Sequence, residues 1–169
     1  MTLILSGTDG VSDIDGTAAT PAIRGTDANT GIFFGTDIIG FSEGGVECAR
    51  FDASANFQFN SGYGSVATAY GCRAWVSFNG TGTPAIRASG NVSSITDNGT
   101  GDYTINFTTA MPNANYCVSG TGGSNGTANA MMASPFFASA QTTTTSRVVF
   151  FSADGALQDS DFNSLAYFR

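Results

Sequence analysis

The sequence predicts an all-β protein, and three observations carry that prediction. Turn pairs recur along the chain: Asp9-Gly10, Asp15-Gly16, Asn79-Gly80, Asn98-Gly99, Asn125-Gly126 and Asp154-Gly155. Asn-Gly and Asp-Gly supply the positive φ values that tight hairpins need. The runs between them are short and rich in Val, Ile, Thr and aromatic residues, as strands are. No stretch shows a sustained 3.6-residue apolar period; 128–133 holds the best helix formers and is too short to matter. Composition agrees. The 169 residues are 41% hydrophobic and only 11% charged, with 14 Phe, 5 Tyr and 1 Trp. Disordered chains are charged and poor in aromatics, and helical bundles and coiled coils need charged surfaces, so all three are poor readings.

The elements follow in order. Residues 1–6 read as a short strand; they lack the basic start of a secretory leader. Residues 1–64 are dense in Gly and Asp, with Gly-Thr-Asp at 7–9, 25–27 and 35–37. Their apolar residues, among them Ile32, Phe34, Phe51 and Phe59, sit in short pieces broken by Gly. The segment is expected to be an extended arm or stem that anchors the protein and buries its apolar faces against identical chains around a symmetry axis. A boundary is expected within 60–65. Residues 65–169 have longer strands and are expected to form an antiparallel β-sandwich head, jelly-roll-like. Tyr103, Ile105 and Phe107 alternate with Thr104, Asn106 and Thr108, the period of a half-buried strand. Further strands are expected at 72–78, 85–88, 92–96, 116–121, 147–152 and 165–169. Residues 142–145 either begin a strand or form a loop. Trp75 and the Phe136-Phe137 pair are read as core. Pro-Ala-Ile-Arg occurs at 21–24 and again at 84–87, each after Thr, and reads as a mark of similar strand edges.

Charge excludes several function classes. The six basic residues are all Arg, and the chain has neither Lys nor His. Schiff-base chemistry, the phosphate-loop Lys, His-dependent triads and His metal sites fall with them. The net charge is −7. Nucleic acid is not an expected partner, because too few cations exist to neutralise phosphates. Membrane insertion is not expected either: no apolar run approaches 18 residues.

The remaining chemistry is sparse. Cys48, Cys72 and Cys117 are odd in number and widely spaced; they read as reduced, half-buried strand residues, which fits assembly in a host cytoplasm. Asp13-Ile14-Asp15-Gly16 opens like a calcium loop, but Arg24 stands where the twelfth-position Glu belongs. Asp9, Asp13 and Asp15, and likewise Asp154, Asp159 and Asp161, read as solvated turn residues rather than ligands. A carboxylate pair held about 5–10 Å apart could hydrolyse glycosides, but no pair is singled out. The glycine-rich 120–126 has no Lys and no following helix, so it reads as a loop and not a phosphate cradle. Five Asn-X-Ser/Thr sequons occur, as an Asn/Thr-rich β surface yields by chance. No catalytic, cofactor-binding or metal residue is assigned, and no cofactor is expected.

Two stretches carry a family resemblance. Gly71 to Gly82 (GCRAWVSFNGTG), followed by Ala85 to Phe107 (AIRASGNVSSITDNGTGDYTINF), resembles a module recurrent in bacteriophage tail-fibre-like proteins. Thr30-Gly-Ile-Phe-Phe, then Ile39-Gly-Phe-Ser-Glu-Gly-Gly-Val-Glu and Ala49-Arg-Phe-Asp, is similar to a segment common in phage fibre proteins. The resemblance implies a virion structural protein, a homotrimer with β-rich heads on a thin stem. It carries over no binding residue. The short chain favours a short fibre or a capsid decoration protein over a complete tail fibre.

The expectation is therefore a non-enzymatic, homotrimeric phage surface protein, with residues 1–64 as the stem and 65–169 as the head. Its partners would be itself and other virion proteins of the capsid or tail. Loops at 120–129 and 154–160 would face outward. A second reading is a tail fibre or adhesin that recognises host surface glycans by stacking aromatic side chains on sugars. A third is a small carboxylate-based glycan hydrolase.

Overall fold

The computed structural model describes residues 4–6, 10–12, 14–124, 127–135 and 141–169. Among them the protein is all-β, antiparallel throughout and without a helix. The chain divides into two compact units, Met1–Ala69 and Tyr70–Arg169.

In the first unit, β1 (Ile4–Ser6) and β2 (Gly10–Ser12) pair as a hairpin. A six-stranded meander follows in chain order: β3 (Ile23–Arg24), β4 (Gly31–Gly35), β5 (Ile38–Glu43), β6 (Val46–Phe51), β7 (Phe57–Phe59) and β8 (Ala67–Thr68). Side-chain hydrogen bonds fix its turns. The Asp52 carboxylate accepts the N–H groups of Ser54 and Asn56, each at 2.9 Å, between β6 and β7. The Gly-rich segment expected as an arm or stem takes this form because its short apolar pieces alternate.

Register sorts the two faces of the meander. Ile23, Ile32, Phe41, Ala49, Phe59 and Ala67 align in one row across all six strands. Phe34, Ile39, Phe51 and Phe57 form a second row two residues along, hence on the same face. The opposite face carries Phe33, Gly40, Arg50, Gln58 and Thr68. There the Arg50 guanidinium donates to Gln58 Oε1 at 2.9 Å and lies 3.3 Å from Glu47.

The second unit is one eight-stranded antiparallel sheet. Its strands are β9 (Cys72–Asn79), β10 (Ala85–Gly90), β11 (Val92–Gly99), β12 (Asp102–Phe107), β13 (Cys117–Ser124), β14 (Thr127–Pro135), β15 (Thr145–Phe151) and β16 (Phe162–Phe168). They lie in the order β10-β9-β16-β13-β14-β15-β12-β11. The sheet folds over itself, so that β9 and β16 pack against β12 and β15. Phe78 of β9 meets Tyr103 of β12 with ring centroids 5.1 Å apart, and Phe150 of β15 at 5.9 Å, both edge to face. Phe107, Tyr116 and Tyr167 make a second edge-to-face group. Aromatic pairs favour this geometry because positive ring edges meet negative ring faces. The inward residues are those the alternation requires: Ala74, Val76 and Phe78; Tyr103, Ile105 and Phe107; Val148 and Phe150; Leu165 and Tyr167.

Polar contacts lock the ends of this core. The Tyr103 hydroxyl lies 2.8 Å from Asp159 Oδ1 and 2.9 Å from the Gly80 carbonyl oxygen. The same Asp159 oxygen accepts the Gly101 N–H at 2.8 Å. Arg147 grips Asp102 with two parallel bonds, Nε to Oδ1 at 2.9 Å and Nη2 to Oδ2 at 2.5 Å. Asn91, with φ at +57°, is the single residue between β10 and β11, and its side chain bonds the backbone of Thr109 in both directions.

The expected strands of the second unit are all present, several of them longer than read. Two segments differ, and the structure settles a third. Residues 128–133 lie within β14, held on both sides by β13 and β15. Residues 120–124 form strand rather than loop, which also corrects the outward-facing loop expected at 120–129. They pair with β16 on one side, and a Cβ at Gly120 would stand 2.4 Å from Leu165 Cδ2. The glycine is there for close packing. At 142–145 the Thr142 hydroxyl accepts the N–H groups of Thr144 and Thr145, closing a turn before β15 starts. Both copies of Pro-Ala-Ile-Arg run into edge strands, β3 and β10. Asn125-Gly126 and Phe136-Phe137 lie outside the described residues.

Candidate functional site

The outer face of β9, β16 and β13 carries the candidate site. Each strand turns its large apolar side chains inward, so the alternate positions face out. Those are Trp75 and Ser77 on β9, Ser164 and Ala166 on β16, and Ser119 and Thr121 on β13. Register brings them into two rows, Trp75–Ala166–Ser119 and Ser77–Ser164–Thr121. Five of the six are small, so the face sinks into a shallow hollow of about 400 Å³, with the indole as its one tall wall.

Trp75 corrects the sequence reading. Its side chain is 44% exposed and stands outside the core, while Ala74 and Val76 on either side of it are buried. The strand pattern leaves no other place: with Ala74, Val76 and Phe78 inward, position 75 must face out. The alternation was visible in the sequence, and only the habit of burying Trp argued against it. Gly90 is directly opposite on β10, and a Cβ there would lie 2.4 Å from Trp75 Nε1. The indole therefore lies against bare backbone on β10.

The chemistry of the hollow is that of a binding surface for a neutral, hydroxyl-rich ligand. The indole offers a flat apolar face and one N–H donor. Ser77, Ser119, Ser164 and Thr121 each offer a hydroxyl that both donates and accepts. No charged side chain lines the hollow. Its volume falls in the range of small-ligand sites, about 300–1,000 Å³. At one end of the same face the Arg87 guanidinium stacks 4.5 Å from the centre of the Phe162 ring and donates to the Asp161 carbonyl oxygen.

Among the described residues the carboxylates singled out in the sequence form no metal-binding cluster. Asp9 and Asp13 lie outside the described residues. Asp154 accepts from the Ser152 hydroxyl and the Ala156 N–H within its own turn, and the Ser152 bond holds its carboxyl below the usual range. Asp159 is committed to Tyr103 and Gly101. Among the described residues no cluster of His, Cys, Asp or Glu could hold a metal ion. Cys48 is half-buried, and Cys72 and Cys117 are exposed on β9 and β13; all three are free thiols. The exposure of the latter two departs from the half-buried expectation, because both occupy outward positions in the last row of the sheet.

No protein-family model and no curated protein matches the chain. Among solved structures it is similar to one described as the crystal structure of the phiAB6 tailspike in complex with three-repeated oligosaccharides of Acinetobacter baumannii surface polysaccharide. The TM-score is 0.43 and the identity 11%. The match covers 92% of this chain and 38% of the tailspike chain, so this chain spans well under half of its neighbour's length. The neighbour corrects one expectation: with a tailspike as the similar structure, the reading of the chain as non-enzymatic is withdrawn.

Proposed function

We propose that this chain is a bacteriophage surface protein that recognises glycans of the host envelope through the Trp75 hollow. One observation carries the reading. A half-exposed indole, seated over Gly90, walls a floor of four hydroxyl-bearing side chains with no charge among them. A pyranose ring has an apolar C–H face to lay on the indole and hydroxyls around its rim to meet Ser77, Ser119, Thr121 and Ser164. The phage setting rests on the resemblance of 71–107 to the tail-fibre-like module. Recognition of the host places the protein on the tail, where a purified virion would hold a few to a few tens of copies by quantitative mass spectrometry. Hundreds of copies would instead mark a capsid decoration.

Trp75 is the only tryptophan in the chain, so its emission reports the site directly. Titration of the full chain with oligosaccharides prepared from the host's surface polysaccharide should change that emission saturably. Trp75→Ala should weaken retention on the immobilised polysaccharide about tenfold, the equivalent of 1.4 kcal/mol. An emission that does not move, with retention unaffected by Trp75→Ala, would refute the reading.

A further inference from the structure

The two Pro-Ala-Ile-Arg copies end on arginines that do different things. Arg24 donates to the Ala28 carbonyl oxygen within its own turn. Arg87 leaves its strand altogether. Here β10 bulges: Ile86 pairs with Phe78 and Ala88 with Ser77, so Arg87 has no partner residue on β9. A bulge bends its strand and re-aims a side chain. This one sends the guanidinium across β9 to β16, where it lies 4.5 Å from the centre of the Phe162 ring. The ring holds one face of the group, and the Asp161 carbonyl oxygen accepts from Nη1. Among the described residues nothing occupies its Nε–Nη2 edge. That is the edge with which Arg147 grips the Asp102 carboxylate.

We infer that Arg87 receives the carboxylate of an acidic sugar, so that the glycan read at Trp75 is an anionic one. The inference rests on the glycan-binding reading of the Trp75 hollow and adds the class of glycan to it. Position is the first argument. Phe162 is two residues from Ser164 on the outer face of β16, about 7 Å along the strand. Ser164 floors the hollow, so the guanidinium stands about one sugar ring beyond it. A neutral ring over the hollow would place the next ring of the chain at Arg87. Charge is the second argument. Basic residues are scarce, six against 13 acidic ones. Arg147 and Arg50 are each paired with a carboxylate. Among the described residues no carboxylate pairs with Arg87. It is held instead by an aromatic ring and a neutral carbonyl, and it is exposed. Geometry is the third. The planar fork of an arginine meets a carboxylate with two parallel N–H···O bonds. The stack on Phe162 has already restrained this fork, so a ligand loses less in ordering it.

The test titrates the full chain and follows Trp75 emission. The probes are oligosaccharides from the host's surface polysaccharide, used as isolated and after chemical reduction of their carboxyl groups to primary alcohols. Wild type should bind the reduced form about tenfold more weakly. Arg87→Gln should bind the native form about tenfold more weakly than wild type does, and should no longer distinguish the two forms. Arg87→Lys keeps the charge without the fork and should fall between. Arg24→Gln removes the same charge from the first unit and should bind as wild type does. Wild-type emission that responds equally to both forms overturns the inference and leaves the glycan reading standing. Equal weakening in Arg24→Gln and Arg87→Gln overturns it as well, because the effect would then belong to net charge. Emission that responds to neither form refutes the glycan reading, and this inference falls with it. Reduction alters the ligand alone, so the comparison in wild type decides even if a variant misfolds.

Discussion

Removing one oxygen atom from the core tests how the second unit holds its loops. Tyr103→Phe keeps the ring, which is fully buried between Phe78 and Phe150. It deletes the hydroxyl that reaches Asp159 Oδ1 at 2.8 Å and the Gly80 carbonyl at 2.9 Å. One proton serves two acceptors, so the loss is one charge-assisted hydrogen bond and its alternate. Such bonds contribute about 1.5–3 kcal/mol. Asp159 keeps the Gly101 N–H and is only half-buried, so the lower part of that range applies, about 2 kcal/mol. For a unit of 100 residues this lowers the melting temperature by about 10 °C, and the urea midpoint by about 1 M. Urea unfolding followed by Trp75 emission reads it. The substitution has a second signature at high pH. Burial first, and then the bond to Asp159, push the Tyr103 phenol above the ordinary tyrosine range. The folded state thus keeps a proton that the unfolded chain loses near pH 10, so this contribution is complete below about pH 10 and declines as pH rises. The gap between wild type and Tyr103→Phe should narrow above that pH. A variant within 0.5 kcal/mol of wild type at pH 7, or a gap that widens in alkali, would refute the reasoning.

Three further outcomes follow from the same structure. The Arg147 bond holds the Asp102 carboxyl below its usual value, so its contribution is full above about pH 4 and is lost as pH falls through the lowered value; melting curves between pH 7 and pH 2 should flatten in Arg147→Met. Gly101 has φ at +65°, and a Cβ there would stand 2.6 Å from the backbone of both Gln158 and Phe150, so Gly101→Ala should cost about 3 kcal/mol; a urea midpoint equal to wild type would contradict it. Gly90→Ala drives the Trp75 indole off its seat, because only the end of a flexible side chain opposes the new methyl group; the emission maximum should shift and glycan retention should fall, with the urea midpoint nearly unchanged.

The sequence exposed most of the fold because the inward alternation of 103–107 is strict, and because turn residues such as Asp52 and Asp154 carry their own hydrogen bonds. Local pattern failed where tertiary pairing decides. At 128–133 helix-forming Ala and Met sit between two strands that leave them no choice. At 120–124 glycines that look like a loop allow Leu165 and Ser164 to approach. The candidate site was legible only in part. Alternation places Trp75 outside, but the hollow beside it depends on Ser119, Thr121 and Ser164 from strands far apart in the chain. Their register against β9 is set by the whole sheet and has no local signature. The apolar face of the meander was foreshadowed by Gly-broken hydrophobic pieces. The alignment of Ile23, Ile32, Phe41 and Phe59 in one row needed the turns to be seen.

The first and last strands of the second unit are neighbours: Cys72 pairs with Phe168, and the Arg169 N–H donates to the Gly71 carbonyl at 3.3 Å. The two ends of this unit therefore lie side by side. A host protein could therefore take it up in a surface loop without bridging a gap, and could give it up as easily. A unit that can be exchanged whole lets one scaffold change the surface it presents while everything beyond the exchange point stays as it was.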